Sequence, residues 1–214
     1  MKTGILFDLD GTLLNTLEDL TDATNYALAA FGHPPRTIRE VRRFIGNGAE
    51  NQIRLSLPED RKEDLQQVLA VYKPYYTEHC QIKTGPYEGV LDALKVLGEK
   101  YPIAIVSNKP DTAVKALCAD YFPGIYALGE AAGCPRKPAA DMVFKAMEAI
   151  GVDRCIYVGD SEVDVLTAKN AGVPCVCVLW GFRDREDMEA VGGSIYCEKT
   201  VNLVNVIEET IHGQ

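Results

Sequence analysis

Basic character is what this chain has least of: Lys and Arg number 22 against 31 Asp and Glu, for a formal charge of −9 and a pI near 4.9. No sustained basic face is available, which argues against nucleic acid or an anionic membrane as partner. No apolar run approaches the roughly 18 residues of a spanning helix, and the N-terminus has neither a charged n-region nor a long apolar h-region, so a cytoplasmic location is expected. The seven cysteines include no C-x-x-C pair, which points to reduced thiols rather than a disulfide framework. Cys175 and Cys177 alternate within an apolar run and are expected to share one strand face as small hydrophobes. Histidine is scarce as well: His33, His79 and His212 sit beside no obvious constellation. Acid–base chemistry would therefore fall to carboxylates or lysine. Internal repeats and low-complexity segments are missing too. At 214 residues the chain can bury one large core, or a main core and a smaller inserted one.

What is present is organised around Gly4-Ile5-Leu6-Phe7-Asp8-Leu9-Asp10-Gly11-Thr12. An apolar run without polar alternation reads as a strand buried on both faces, and this one ends in two carboxylates and a glycine. Asp8 and Asp10 stand at i and i+2 and would project together beyond an extended segment. Like charges so placed need a cation or a shared proton. The competing reading is a tight hairpin, with Asp10-Gly11 as its turn between Ile5–Leu9 and Thr12–Leu14.

Residues 16–81 then read as helices only. Thr16 with Asp19 and Thr37 with Glu40 are capping-box pairs, each ahead of an apolar stripe. The second helix breaks at Gly46-Asn47-Gly48, and a long one is expected from about Arg61 to His79. From Pro86 the pattern alternates. Helices bearing Val90–Leu97, Val114–Tyr121, Met142–Ile150 and Val165–Ala171 are interleaved with strands at Ile103–Val106, Ile125–Leu128, Cys155–Val158 and Pro174–Leu179. A short strand near Ile195 and a helix through Ile211 close the chain. The expected fold is α/β: a Rossmann-like parallel sheet covered by helices on both faces, from residues 1–15 and 82–214, with an inserted all-helical domain at 16–81.

Ligands of such sheets lie beyond the carboxyl ends of the strands. Four polar clusters stand there: Asp8, Asp10, Gly11 and Thr12; Ser107 and Asn108; Lys137-Pro138; and Gly159-Asp160-Ser161 with Asp164. Asp8, Asp10 and Asp160 are hard oxygen ligands suited to Mg²⁺, which leaves coordination positions to water and a phosphate oxygen. A phosphate dianion beside them would need Lys137 as a point charge, the Ser107 hydroxyl, and N–H groups around Gly11-Thr12 and Asn108. Taken singly, Lys137 could equally be a solvated lysine and Asp164 a first-turn acid favouring its helix dipole.

These motifs, in this order, resemble those of the haloacid dehalogenase superfamily of phosphohydrolases. The resemblance implies Asp8 as nucleophile, forming an aspartyl-phosphate, and Asp10 as general acid to the leaving group and then general base to water. It implies Ser107 and Lys137 as binders of the transferring phosphoryl group. Mg²⁺ would be held by Asp8, the Asp10 main-chain carbonyl and Asp160, with Asp164 as a ligand or just behind one. Residues 16–81 resemble the family's small helical cap, which would exclude water and choose the substrate; Arg43, Asn47 and Gly48 are its candidate anion contacts, with Arg54 beyond them. Phe44-Ile45-Gly46-Asn47-Gly48 and Leu179-Trp180-Gly181-Phe182 look like the phosphoglycolate phosphatase branch, whereas Asn15-Thr16 and Ala140 depart from common family residues. The expected activity is a Mg²⁺-dependent phosphomonoesterase acting on a small phosphorylated metabolite, 2-phosphoglycolate first, in a monomer or weak homodimer. Pyrophosphatase, nucleotidase and β-phosphoglucomutase-like phosphotransfer use the same residues. A signalling phosphoacceptor of the receiver type uses similar chemistry in another order and without a cap.

Overall fold

The computed structural model describes residues 1–213 and divides into two compact units, Met1–Leu14 with the chain from Pro86 onward, and Asn15–Gly85. Strand β1 (Thr3–Phe7) opens the first unit, and β2 (Leu14–Asn15) leads out of it. Helices α1 (Leu17–Ala29), α2 (Ile38–Phe44), α3 (Gly48–Ser56) and α4 (Leu65–His79) make up the second unit, and β3 (Gly85–Pro86) leads back. The return consists of α5 (Val90–Gly98), β4 (Ile103–Pro110), α6 (Asp111–Tyr121), β5 (Tyr126–Glu130), α7 (Asp141–Ile150) and β6 (Arg154–Gly159). It ends with α8 (Glu162–Ala171), β7 (Cys175–Val178), α9 (Arg185–Glu189), β8 (Ile195–Cys197) and α10 (Leu203–His212).

Among the described residues the main sheet has six strands in the order β5-β4-β1-β6-β7-β8, every pair parallel. β1 lies at its centre because Ile5, Leu6 and Phe7 have no polar face to offer solvent and are fully buried. Leu6 joins Ala104, Val106 and Tyr157 beneath Met142, Val143 and Ala146 of α7, while α10 packs against α5, β6 and β8. The chain proceeds from β1 outward through β4 and β5, then returns to the other side of β1 with β6. That reversal opens a crevice at the carboxyl end of β1, between β4 and β6.

One competing reading and three local expectations differ from what forms. Asp10-Gly11 does not turn a hairpin: β1 pairs with β4 and β6, and the chain folds into a loop in which the Leu13 and Leu14 N–H groups both donate to Leu9 O at 3.0 Å. Thr16 precedes α1 but makes no side-chain cap, because Asp19 is drawn to the far end of the helical unit, accepting from the Lys83 and Thr84 N–H groups at 3.0 and 2.8 Å. The Thr37–Glu40 capping box does form. Arg61 (φ −133°) interrupts a 3₁₀ turn over Glu59–Asp64, so the last helix of that unit starts at Leu65. Finally, β4 does not stop at Val106 but continues with shifted register to Pro110. That irregularity falls on Ser107, Asn108 and Lys109, and a bulge of this kind re-aims side chains near a site.

Candidate active site

The Asp8 N–H donates to Val158 O at 2.8 Å, extending the β1 ladder by one residue before the loop departs. This places the Asp8 carboxylate at the strand's end, where its Oδ1 lies 2.8 Å from the Lys137 ammonium. Lys137 also reaches Asp164 Oδ1 at 2.8 Å and the Tyr157 hydroxyl at 3.0 Å, with only 2% of its side chain exposed. The ammonium is aimed because its backbone is gripped on both sides: the Lys137 N–H donates to Asn108 Oδ1 at 2.8 Å, and Asn108 Nδ2 donates to Lys137 O at 2.9 Å. Asn108 thus spends its side-chain amide on orienting Lys137.

Asp160 follows β6. Its Oδ1 accepts from the Thr12 hydroxyl at 3.0 Å and its Oδ2 from the Phe182 N–H at 2.7 Å. The segment after β7 closes this arrangement, since Trp180 Nε1 donates to Thr12 O at 3.0 Å. Two glycines are required by the crowding. Gly11 has φ +87° and a Cβ there would strike the Asp160 carboxylate; a Cβ on Gly181 would strike Asp160 and sit 2.5 Å from Gly11 O. Asp164 caps α8 through Ser161, whose N–H and hydroxyl donate to its Oδ2 at 3.1 and 2.6 Å.

Asp8, Asp160 and Asp164 each bring a carboxylate oxygen within 4.8 Å of the others, and all three residues are buried. Burial first, then the Asp164 charge, pushes the Asp8 carboxyl well above the usual carboxylate range, against the pull of Lys137. The same two causes push Asp160 up to about 7, against the pull of the Phe182 N–H, the Thr12 hydroxyl and Arg183. Burial by itself would lower Lys137, but the Asp164 and Asp8 carboxylates outweigh it and hold the ammonium well above its ordinary value. Three clustered buried carboxylates, two of them paired with this one ammonium, leave an excess of negative charge on hard oxygen donors, the environment a divalent cation fits. Asp164 has the least to offer such an ion: Lys137, the Ser161 N–H and the Ser161 hydroxyl donate to it, and the Tyr157 hydroxyl lies 3.3 Å away. A carboxylate has about four lone-pair sites in all.

Asp8, Asn108, Lys137 and Asp164 therefore form one bonded network, and Thr12, Asp160 and the Phe182 N–H form a second that the three-carboxylate cluster sets beside it. Ser107 sits on the adjacent strand, buried, with its Oγ accepting from the Lys109 N–H at 3.2 Å. The Asp10 carboxylate does not join the three-carboxylate cluster; it pairs with Lys109 Nζ at 2.7 Å. The Gly11 N–H, expected to help cradle an anion, donates to Leu14 O at 2.8 Å because the loop closes on itself there. Arg43 is an exposed residue in the last turn of α2, Asn47 precedes α3 without a side-chain cap, and Gly48 begins that helix at φ +80°. Arg54 bonds Asn51 within α3. Sequence reasoning passed over Lys109, Tyr157 and the Gly181-Phe182 backbone. Lys109 carried a usable signal, a lysine two residues past Ser107 at the end of a buried strand. Tyr157 looked like core, and the Phe182 N–H has no signature in residue type.

The sequence profile of the haloacid dehalogenase-like hydrolases matches residues 5–178. The chain belongs to that family. Among the hydrolases it resembles is Phosphoglycolate phosphatase 1 of Pseudomonas aeruginosa, 36% identical over 83% of this chain and 70% of that one. The Phosphoglycolate phosphatase of Mesorhizobium japonicum is 34% identical over 97% of this chain and 96% of its own. Among solved structures, a proposed phosphoglycolate phosphatase from Lactobacillus delbrueckii subsp. bulgaricus superimposes with a TM-score of 0.89 at 38% identity, covering 97% and 99% of the two chains. With relatives of this coverage, this haloacid dehalogenase-like hydrolase is a phosphatase. Among its described residues no helix is long and apolar enough to cross a membrane.

Proposed function

We propose that the protein is a Mg²⁺-dependent phosphomonoesterase working through an aspartyl-phosphate on Asp8, with 2-phosphoglycolate as its substrate. The observation that carries this reading is Asp8 itself, a buried carboxylate at the end of the central strand, held 2.8 Å from the Lys137 ammonium. A carboxylate is a weak nucleophile, so the rate must come from placing it and from neutralising charge around the phosphoryl group. Lys137 and the Ser107 hydroxyl take the phosphoryl oxygens. An Asp8 oxygen bonds to phosphorus as the ester P–O bond breaks, and Asp10 gives its proton to the departing oxygen. Water then bonds to phosphorus as the acyl-phosphate P–O bond breaks, and Asp10 recovers the proton. Asp8 and Asp160 would hold Mg²⁺, with the Asp10 carbonyl as a third donor; Asp164, whose oxygens are engaged by Lys137 and Ser161, sets the lysine. Bound there, the ion supplies positive charge that offsets the phosphate's own.

The choice of 2-phosphoglycolate rests on the names of the relatives and on the Phe44–Gly48 and Leu179–Phe182 segments. Substrate selection is assigned to the helical unit, with Arg43, Asn47 and Gly48 as its polar candidates. The test is phosphate release from 2-phosphoglycolate, pyrophosphate, nucleoside monophosphates and sugar phosphates, with Mg²⁺ and with chelator, for the native protein and Asp8→Asn. A Mg²⁺-dependent preference for 2-phosphoglycolate that Asp8→Asn abolishes is expected. Even activity across the panel removes the specificity and keeps the mechanism, whereas substantial turnover by folded Asp8→Asn places the nucleophile elsewhere.

A further inference from the structure

Lys109 is a lysine where a lysine is costly. It stands at the seventh position of β4, in the stretch of shifted register between Val106 and Pro110, and only 4% of its side chain is exposed. An ammonium so desolvated needs a partner of opposite charge. Lys109 Nζ lies 2.7 Å from Asp10 Oδ1, and the Asp10 side chain is itself only 12% exposed. The approach is fixed from the lysine's side by its own N–H, which donates to Ser107 Oγ at 3.2 Å. The residue that would bind the phosphoryl group and the residue that would move the proton are thereby tied through one intervening lysine.

We infer that Lys109 is a positioning residue for Asp10, holding one carboxyl oxygen so that the other presents the exchangeable proton to the reacting ester. This rests on the acid–base role proposed for Asp10. With Oδ1 held by the ammonium, Oδ2 is the oxygen through which the proton of each step would pass. In the first step Oδ2 releases it to the ester oxygen, which leaves as an alcohol while phosphorus bonds to Asp8. In the second, a water oxygen bonds to phosphorus, the bond to Asp8 breaks, and the water's proton goes to Oδ2. A carboxyl turning freely about its side-chain bonds would present the wrong oxygen or none, and misplacement of this kind costs rate rather than substrate binding.

The experiment compares Lys109→Met, Lys109→Arg and Asp10→Asn on two substrates, the best alkyl phosphomonoester of the panel above and p-nitrophenyl phosphate. Nitrophenolate departs without needing a proton, so the two substrates separate the acid step from the base step. For Lys109→Met the expected result on the alkyl ester is a kcat lowered by about 10²-fold with KM changed less than about threefold. On p-nitrophenyl phosphate the first step survives, and nitrophenolate should appear as a burst of about one equivalent per enzyme followed by slow release as the aspartyl-phosphate hydrolyses. Lys109→Arg, which keeps the ion pair, should recover part of the loss and supplies the same comparison should Lys109→Met not fold. An unchanged kcat, or an equal loss on both substrates without a burst, overturns the inference. Asp10→Asn gives the reference. If it shows the split and the lysine variants do not, the inference alone fails; if it turns over both substrates at the native rate, the role of Asp10 fails first.

Discussion

At the scale of single residues, the site depends on approaches too close for side chains. Asp160 is held between the Thr12 hydroxyl and the Phe182 N–H, and Gly181 lies against it so tightly that any Cβ must displace the carboxylate. Gly181→Ala should therefore weaken Mg²⁺ activation by about 10–100-fold, the usual cost of disturbing groups that orient a metal ligand, with the substrate KM at saturating Mg²⁺ little changed. Titrating activity with Mg²⁺ checks this, and an unaltered activation constant would separate Asp160 from the metal. Much of the site was legible at this scale. Asp8, Asp160 and Lys137 are charged residues just past buried strands or before a helix, and charge in such places is seldom structural decoration. Asn108 was legible as a position but not as a role: an amide after a strand can bind a ligand or a backbone, and only the folded chain shows it spanning Lys137.

At the scale of elements, β1 carries both core and chemistry. Leu6 is fully buried between β4, β6 and α7, two residues before the nucleophile proposed above. Leu6→Ala should cost about 2–5 kcal/mol of stability, through lost burial and the cavity left behind. Denaturation in urea measures it, and a loss below about 1 kcal/mol would mean that the sheet centre collapses readily to fill the space. Periodicity is enough to find β1 and helices α5, α6, α7, α8 and α10, because burial on one face or both leaves a repeating mark in the sequence, whereas the five-residue α9 is too short to leave one. It misplaced what depends on distant partners. Thr16 and Asp19 have the same local pattern as Thr37 and Glu40, yet Asp19 accepts from the backbone of residues 83 and 84 instead of closing its own helix. The far end of β4 escapes periodicity for a related reason, since Ser107, Asn108 and Lys109 are polar by type and look like a turn until the strand beside them is known.

At the scale of the whole molecule, acidic crowding makes stability depend on pH and on the cation. A carboxyl whose folded pKa exceeds its unfolded value of roughly 4 binds more protons when folded, so stability falls as pH rises between the two. For Asp160 that window ends at about 7, and Asp8 moves in the same direction. Lys137 acts in another range: raised by Asp164 and Asp8, its contribution is complete below its unfolded value of about 10 and is lost only as pH climbs through the folded one. Chelator-treated protein should accordingly melt at a lower temperature at pH 8 than at pH 5, and Mg²⁺ should raise the melting temperature more at pH 8, where the Asp160 carboxylate is ready to accept it. Equal Mg²⁺ shifts at both pH values would detach Asp160 from the ion.

The sequence by itself determined the α/β class, the helical character of residues 16–81, and the four polar clusters, three of them charged, at one end of the sheet, because buried strands and abrupt polarity are properties of neighbouring residues. Tertiary structure decided which charge meets which. Lys137 takes Asp8 and Asp164, Lys109 takes Asp10, and the Phe182 N–H takes Asp160, across separations of 22 to 129 residues along the chain. Such pairings are fixed by strand order and register, which bring distant segments within 3 Å and leave no periodic trace in any one of them.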